Sequence, residues 1–163
     1  MAIKKNFSKE LYGNFDSAKQ IVLRHLQTQY DPTFWQINPD RYGPDIISVG
    51  NPPMYVEVEV KQAWKAKHGL LFPYPTIQIP GRKEKWLDMV IEFWILREDR
   101  RAAAVIPVDL ILLYSTRAII PNRFVRSGEN FIVMPAERCT IVDLSAAAAE
   151  LPELITTPDE MED

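Results

Sequence analysis

Residues 54–62 read "MYVEVEVKQ". Side chains along a strand point alternately to its two faces, so Val56, Val58 and Val60 share one face and Glu57, Glu59 and Lys61 share the other. Taken alone, that alternation describes any strand with one face on a core and charges in water. Paired with a further carboxylate it describes something else. "GPDIISV" places Asp45 at the start of a short apolar strand, and "GNPP" then turns the chain back into "YVEVEVK". A hairpin of this length brings Asp45 near the Glu59 and Lys61 end of its partner only where the strands splay or shift. Carboxylates converging with a lysine suit phosphodiester chemistry. Their hard oxygens bind Mg²⁺, which keeps several waters. The metal polarises a phosphoryl oxygen and lowers the pKa of a bound water, and an ammonium orients that water or steadies the growing negative charge.

The elements that must position these residues follow from periodicity and turn residues. "FDSAKQIVLRHLQTQY" has Phe15, Ala18, Ile21, Val22 and Leu26 at helical spacing, with Asp16 or Ser17 as a cap, and predicts a helix over about 17–28. "PTFWQI" and "DIISVG" are short strands around the turn-rich "NPDRYGPD". A third strand runs from about Tyr55 to Ala63. "KAKHGLLFPYP" is a loop, "TIQIP" a short strand and "GRKEKWLDMVIE" opens as a short helix. "EFWILRED" and "AAAVIPV" form a hairpin joined near Asp99 and Arg100. "VDLILLYST" holds a helical turn or two, and "ENFIVMP" and "CTIVDL" are late strands. The order is mixed α/β.

"PD", thirteen residues, then "EVK" resembles the PD-(D/E)XK nuclease superfamily, with its motif at Asp45, Glu59 and Lys61. A helix followed by a three-strand meander that carries the motif is also similar to that family's core. The resemblance covers residues 8–105. It implies a restriction-endonuclease-like mixed sheet flanked by helices, in one domain over 1–149. It implies a Mg²⁺-dependent endonuclease acting on DNA, with Asp45, Glu59 and the Val60 carbonyl as metal ligands, Lys61 as the catalytic lysine, and a homodimer to reach both strands. Pro39-Asp40 is a second "PD". Asp45 is preferred because an apolar strand follows it directly, whereas Asp40 sits in the turn. Glu57 reads as a solvent-facing or salt-bridged residue, with an extra ligand as the alternative. The family often adds an acid on its first helix, for which Glu10 and Asp16 are the candidates.

Around this motif, Lys65, Lys67 and His68 follow the third strand, and Arg82, Lys83 and Lys85 follow "TIQIP", with Trp64 and Trp86 interleaved. Either these are solvated loops, or Lys65, Lys67, Arg82, Lys83 and Lys85 hold a nucleic-acid backbone without reading sequence. His68 is a minor acid–base candidate. Arg97, Arg100 and Arg101 read as the soluble tip of a hairpin, and the four tryptophans as core or interface.

The totals bound these readings. The chain has 163 residues, 47% of them hydrophobic, enough for one domain with a real core. No apolar run approaches the roughly 20 residues of a membrane span, and no secretory leader is visible, so a soluble cytoplasmic protein is expected. Cys139 is the lone cysteine, which excludes an internal disulfide or a cysteine zinc site. Net charge is −3, yet Glu150, Glu153, Asp159, Glu160, Glu162 and Asp163 crowd the end of the chain. Without them the body has 19 bases against 16 acids (22 less these six), a net +3. Residues 150–163 read as a solvated, disordered acidic tail. Two rivals stand beside the nuclease: a nuclease fold that only binds DNA, and a non-nucleic-acid interaction protein whose "VEVEVK" is a plain surface strand. The substrate stays open between branched DNA, a specific duplex sequence, an end and RNA.

Overall fold

A computed structural model describes residues 17–29, 31–122 and 124–151. Helix α1 covers 17–29, and its Ala18, Ile21, Val22 and Leu26 are buried, as their spacing predicts. The chain then builds the antiparallel meander β1 (Trp35–Ile37), β2 (Ile46–Ser48) and β3 (Tyr55–Lys61). β3 stops two residues short of the expected Ala63. A long excursion over residues 62–89 carries β4 (Thr76–Pro80) and a 3₁₀ segment, Gly81–Trp86, where a short helix was expected. β5 (Val90–Arg97) returns parallel to β3, and β6 (Ala102–Pro107) closes the expected hairpin. Helix α2 (Val108–Tyr114), strands β7 (Thr116–Ile120), β8 (Glu129–Pro135) and β9 (Thr140–Asp143), and helix α3 (Ser145–Glu150) complete the described chain.

The strands form two sheets. One has six strands in the order β1-β2-β3-β5-β6-β9, and the other three in the order β4-β8-β7. The larger sheet is covered on both faces. On one side Val56, Val58, Trp94, Leu96 and Val105 meet Ile21, Val22 and Leu26 of α1 and Ala147 and Ala148 of α3. Each fully buried valine there contributes about 1.5–3 kcal/mol, and a one-residue slip of β3 would exchange these valines for its charges, which fixes the register. On the other side Phe93, Ile95, Ala104 and Ile106 meet Ile77, Ile79, Ile132 and Met134 of the smaller sheet. The charged face of β3 therefore looks toward a second layer of protein, where an open surface is the simplest expectation for an alternating strand.

Two readings change. Arg97 is no solubilising tip residue: it is buried and forks onto Asp99, Nε to Oδ1 at 2.7 Å and Nη2 to Oδ2 at 2.9 Å, while Nη1 donates to the Gly69 carbonyl at 2.7 Å. Glu150, read as the first residue of the tail, ends α3 and pairs with Arg24 of α1. The rest of the tail beyond Leu151, and the candidate acids Glu10 and Asp16, lie outside the described residues. No helix among the described residues is long and apolar enough to cross a membrane.

Candidate active site

The site begins with the shortness of β2. That strand pairs with β3 only through Ile46–Val56 and Ile47–Tyr55. The rest of β3 therefore extends past β2 with its ladder groups unmet on that edge. Asp45, the residue just before β2, fills the gap: its Oδ2 accepts from the Val58 N–H at 2.9 Å. Its own N–H donates to Glu57 Oε1 at 3.1 Å. Backbone groups alternate sides along a strand with period two, so the Val60 carbonyl points to the same edge as the Val58 N–H. The expected ligand triplet thus keeps two of its members on one edge. The register places Asp45 beside Glu57, however, and Glu59 lies one pleat further along.

Two lysines close the cluster. Lys19, from α1, places its Nζ 3.1 Å from Asp45 Oδ1. Lys83, from the 3₁₀ segment, places its Nζ 3.1 Å from Glu57 Oε2 and also pairs with Glu59. Glu57 is only 5% exposed, and the Lys83 side chain 11%. Glu57 is salt-bridged, one of the two options its position allowed, but it does not face solvent. Burial, and then the adjoining Asp45 carboxylate, push the Glu57 carboxyl up to about 8, against the pull of Lys83. For Lys83, burial works against the charge, but the Glu57 and Glu59 carboxylates outweigh it and the ammonium is held above its usual range. Lys83 therefore stays charged between the two glutamates, and burial beside Asp45 favours the protonated form of the Glu57 carboxyl.

Lys61 stands apart from the carboxylates. Its Nζ lies 5.7 Å from the centre of the Tyr74 ring. The cation against the glutamates is therefore Lys83, which the sequence reading placed among the backbone-binding basic residues. The remaining members of that set scatter. Arg82 is exposed and lines a groove of about 780 Å³ with Gly81, Arg117 and Asn130. Lys65 pairs with Glu98, Lys85 lies 4.8 Å from the Trp86 ring, and Lys67 is exposed. His68 Nδ1 accepts from the Lys65 N–H at 3.1 Å, which commits it to the local turn. Asp40 caps its own turn by accepting from the Tyr42 N–H at 3.0 Å, so Asp45 is the "PD" aspartate that reaches β3.

Sequence reasoning missed Lys19 and the real partner of Lys83. Lys19 had a usable signal, since it sits one residue from the buried Ala18 near the start of the helix. Lys83 had none, because its approach depends on Gly81. A Cβ at Gly81 would come within 2.7 Å of the Asn130 carbonyl, so only glycine lets the 3₁₀ segment lie this close to β8.

The oxygens of Asp45, Glu57 and Glu59 are the hard donors Mg²⁺ takes, and one or two carboxylates plus water and substrate suffice for it. Among the described residues no group of three or more such side chains is gathered around a single ion position. No family model matches the chain, and no curated protein matches it.

Proposed function

We propose that this protein is a Mg²⁺-dependent endonuclease that hydrolyses DNA phosphodiesters, built on a restriction-endonuclease-like core of the PD-(D/E)XK kind. The observation that carries the reading is the convergence of Asp45, from the start of β2, on Glu57 of β3, and of Glu57 and Glu59 on the Lys83 ammonium. Asp45, Glu57 and the Val60 carbonyl would hold the metal, which supplies Lewis-acid polarisation of the phosphate and a more acidic water. Lys19 fixes the Asp45 carboxylate from the helix side. Lys83 offers a preorganised positive charge where negative charge grows on the phosphoryl oxygens. Glu59 keeps that ammonium charged and aimed. Arg82 contacts the DNA backbone from the groove it lines, and a second copy of the chain serves the opposite strand.

A second reading has an observation of its own. Lys83 bridges Glu57 and Glu59 where a cation would sit, which suits a domain that binds DNA and leaves it intact. Incubating supercoiled plasmid and a branched junction with Mg²⁺ and with chelator separates the two. Nicking in Mg²⁺ alone, lost in Asp45→Asn, supports the nuclease. Binding without cleavage in either buffer supports the binding domain.

A further inference from the structure

Lys61 is left without a task by the carboxylate cluster, and its surroundings suggest one. It borders a cleft of about 300 Å³ together with Tyr74, Pro75, Thr76 and Gln78. We propose that this cleft is a stacking subsite for one unpaired base, next to the scissile position, and that the DNA this protein prefers is single-stranded or locally unpaired there. The inference rests on the nuclease reading above.

Tyr74 is 41% exposed, so part of its surface is open to a ligand. It is also held still. Tyr74 meets Phe72 edge-on at 5.8 Å, and Phe72 meets the fully buried Trp64 edge-on at 5.2 Å. Trp64 Nε1–H donates to the Leu71 carbonyl at 3.1 Å, and Arg97 holds the Gly69 carbonyl from below. The loop that presents Tyr74 is therefore pinned at several points, and a fixed ring gives up little freedom when a base stacks on it. Over the ring, 5.7 Å from its centre, stands the Lys61 ammonium, for which no carboxylate partner exists among the described residues. An aromatic platform with an adjacent cation is how proteins grip single strands without reading sequence, ring to base and charge to phosphate.

Position supplies the rest of the argument. Lys61 follows Glu59 by two residues on the same strand face, about 6.6 Å along β3. Glu57, which pairs with Asp45, lies two residues further back, about 13 Å from Lys61, so the cleft is one to two nucleotides from a phosphate bound at the carboxylates. A volume near 300 Å³ lies at the small end of ligand sites and suits a single nucleotide. The Thr76 hydroxyl and the Gln78 amide at its rim can meet base edges. A base in duplex has both faces stacked on its neighbours, and freeing one costs a few kcal/mol, which disfavours an intact duplex in this cleft.

Binding in chelator tests this without any need for cleavage. The probes are a labelled single-stranded oligodeoxynucleotide and its duplex, read by fluorescence anisotropy. The parent should bind the single strand more tightly than the duplex. Tyr74→Ala should lose about tenfold or more in single-strand affinity, whereas Tyr74→Phe, which keeps the ring, should retain it. A 2-aminopurine substituted along the strand gives a readout that needs no variant: stacking on Tyr74 should quench it at one position. Unchanged single-strand binding by Tyr74→Ala, or no quenching at any position, overturns the subsite. If the parent meanwhile nicks plasmid in Mg²⁺, the nuclease reading stands without it. If the parent neither binds an oligonucleotide nor nicks, both readings fall.

Discussion

At the scale of single residues the chemistry turns on which lysine faces the carboxylates. Lys83 is almost buried between Glu57 and Glu59, whereas Lys61 lies against Tyr74. Lys83→Ala should lower plasmid nicking by about 10²-fold or more, the size expected when one preorganised charge is taken from a transition state. It should also cost about 3 kcal/mol of stability, since the buried Glu57 and the half-buried Glu59 lose their partner. Lys61→Ala should leave stability within about 0.5 kcal/mol of the parent. Nicking rates and denaturant midpoints of the two variants, measured together, decide the assignment. A large rate loss in Lys61→Ala with none in Lys83→Ala would return the catalytic role to the motif lysine. Glu57 makes a separate prediction about pH. Its carboxyl is raised from 4.5 to about 8 by burial and by Asp45, so the fold favours the protonated form. The stability this contributes is complete below pH 4.5 and is lost as pH climbs through 8. Glu57→Gln, which mimics the neutral acid, should therefore gain on the parent between pH 5 and pH 8.5, by about 2–4 °C of melting temperature for each kcal/mol. Thermal melts of both proteins across that range, without divalent ions, give the answer, and parallel curves would show that Glu57 does not titrate as described.

At the scale of elements, the site depends on one short strand and one tight turn. β2 ends early, so Asp45 can bond to the edge of β3 in place of a backbone group. The turn after β4 delivers Lys83 only because Gly81 lies against the Asn130 carbonyl. Gly81→Ala should push the 3₁₀ segment off β8, at about 1–3 kcal/mol for the overpacking, and withdraw Lys83 from the glutamates. Its nicking should fall although no site residue has changed, and a denaturation curve beside a nicking assay checks both parts. Element legibility followed side-chain pattern. α1, β3 and the β5–β6 hairpin stand out by their periodicity and turn residues. β7 and α3 escaped notice. β7 follows α2 with one residue between them and no turn signal, and α3 is six residues of mostly alanine, whose burial no amphipathic stripe announces.

At the scale of the whole molecule, two layers enclose a sheet, and a groove beside Arg82 opens between the turn after β4 and the start of β8. If DNA lies there, Arg82→Ala should weaken binding about equally for all sequences and flatten the salt dependence by about one unit of slope. Titrations at several salt concentrations measure this, and an unchanged slope would remove Arg82 from the interface. Lys83, unlike Arg82, should contribute little to that slope, because its charge is already matched within the protein. The sequence by itself determined the local pieces: the amphipathic helix, the meander and the valine face of β3. These depend on periods of 3.6 and 2 and on turn residues, which are properties of neighbouring positions. Only the tertiary structure decided that Asp45 meets Glu57 ahead of Glu59, because a strand register is a property of the pair. It alone decided that a second sheet covers the charged face, that Lys19 and Lys83 arrive from distant segments, and that Lys61 turns to Tyr74. The lysine contacts join residues 13 to 26 positions apart, and the packing that selects them leaves no periodic trace along the chain.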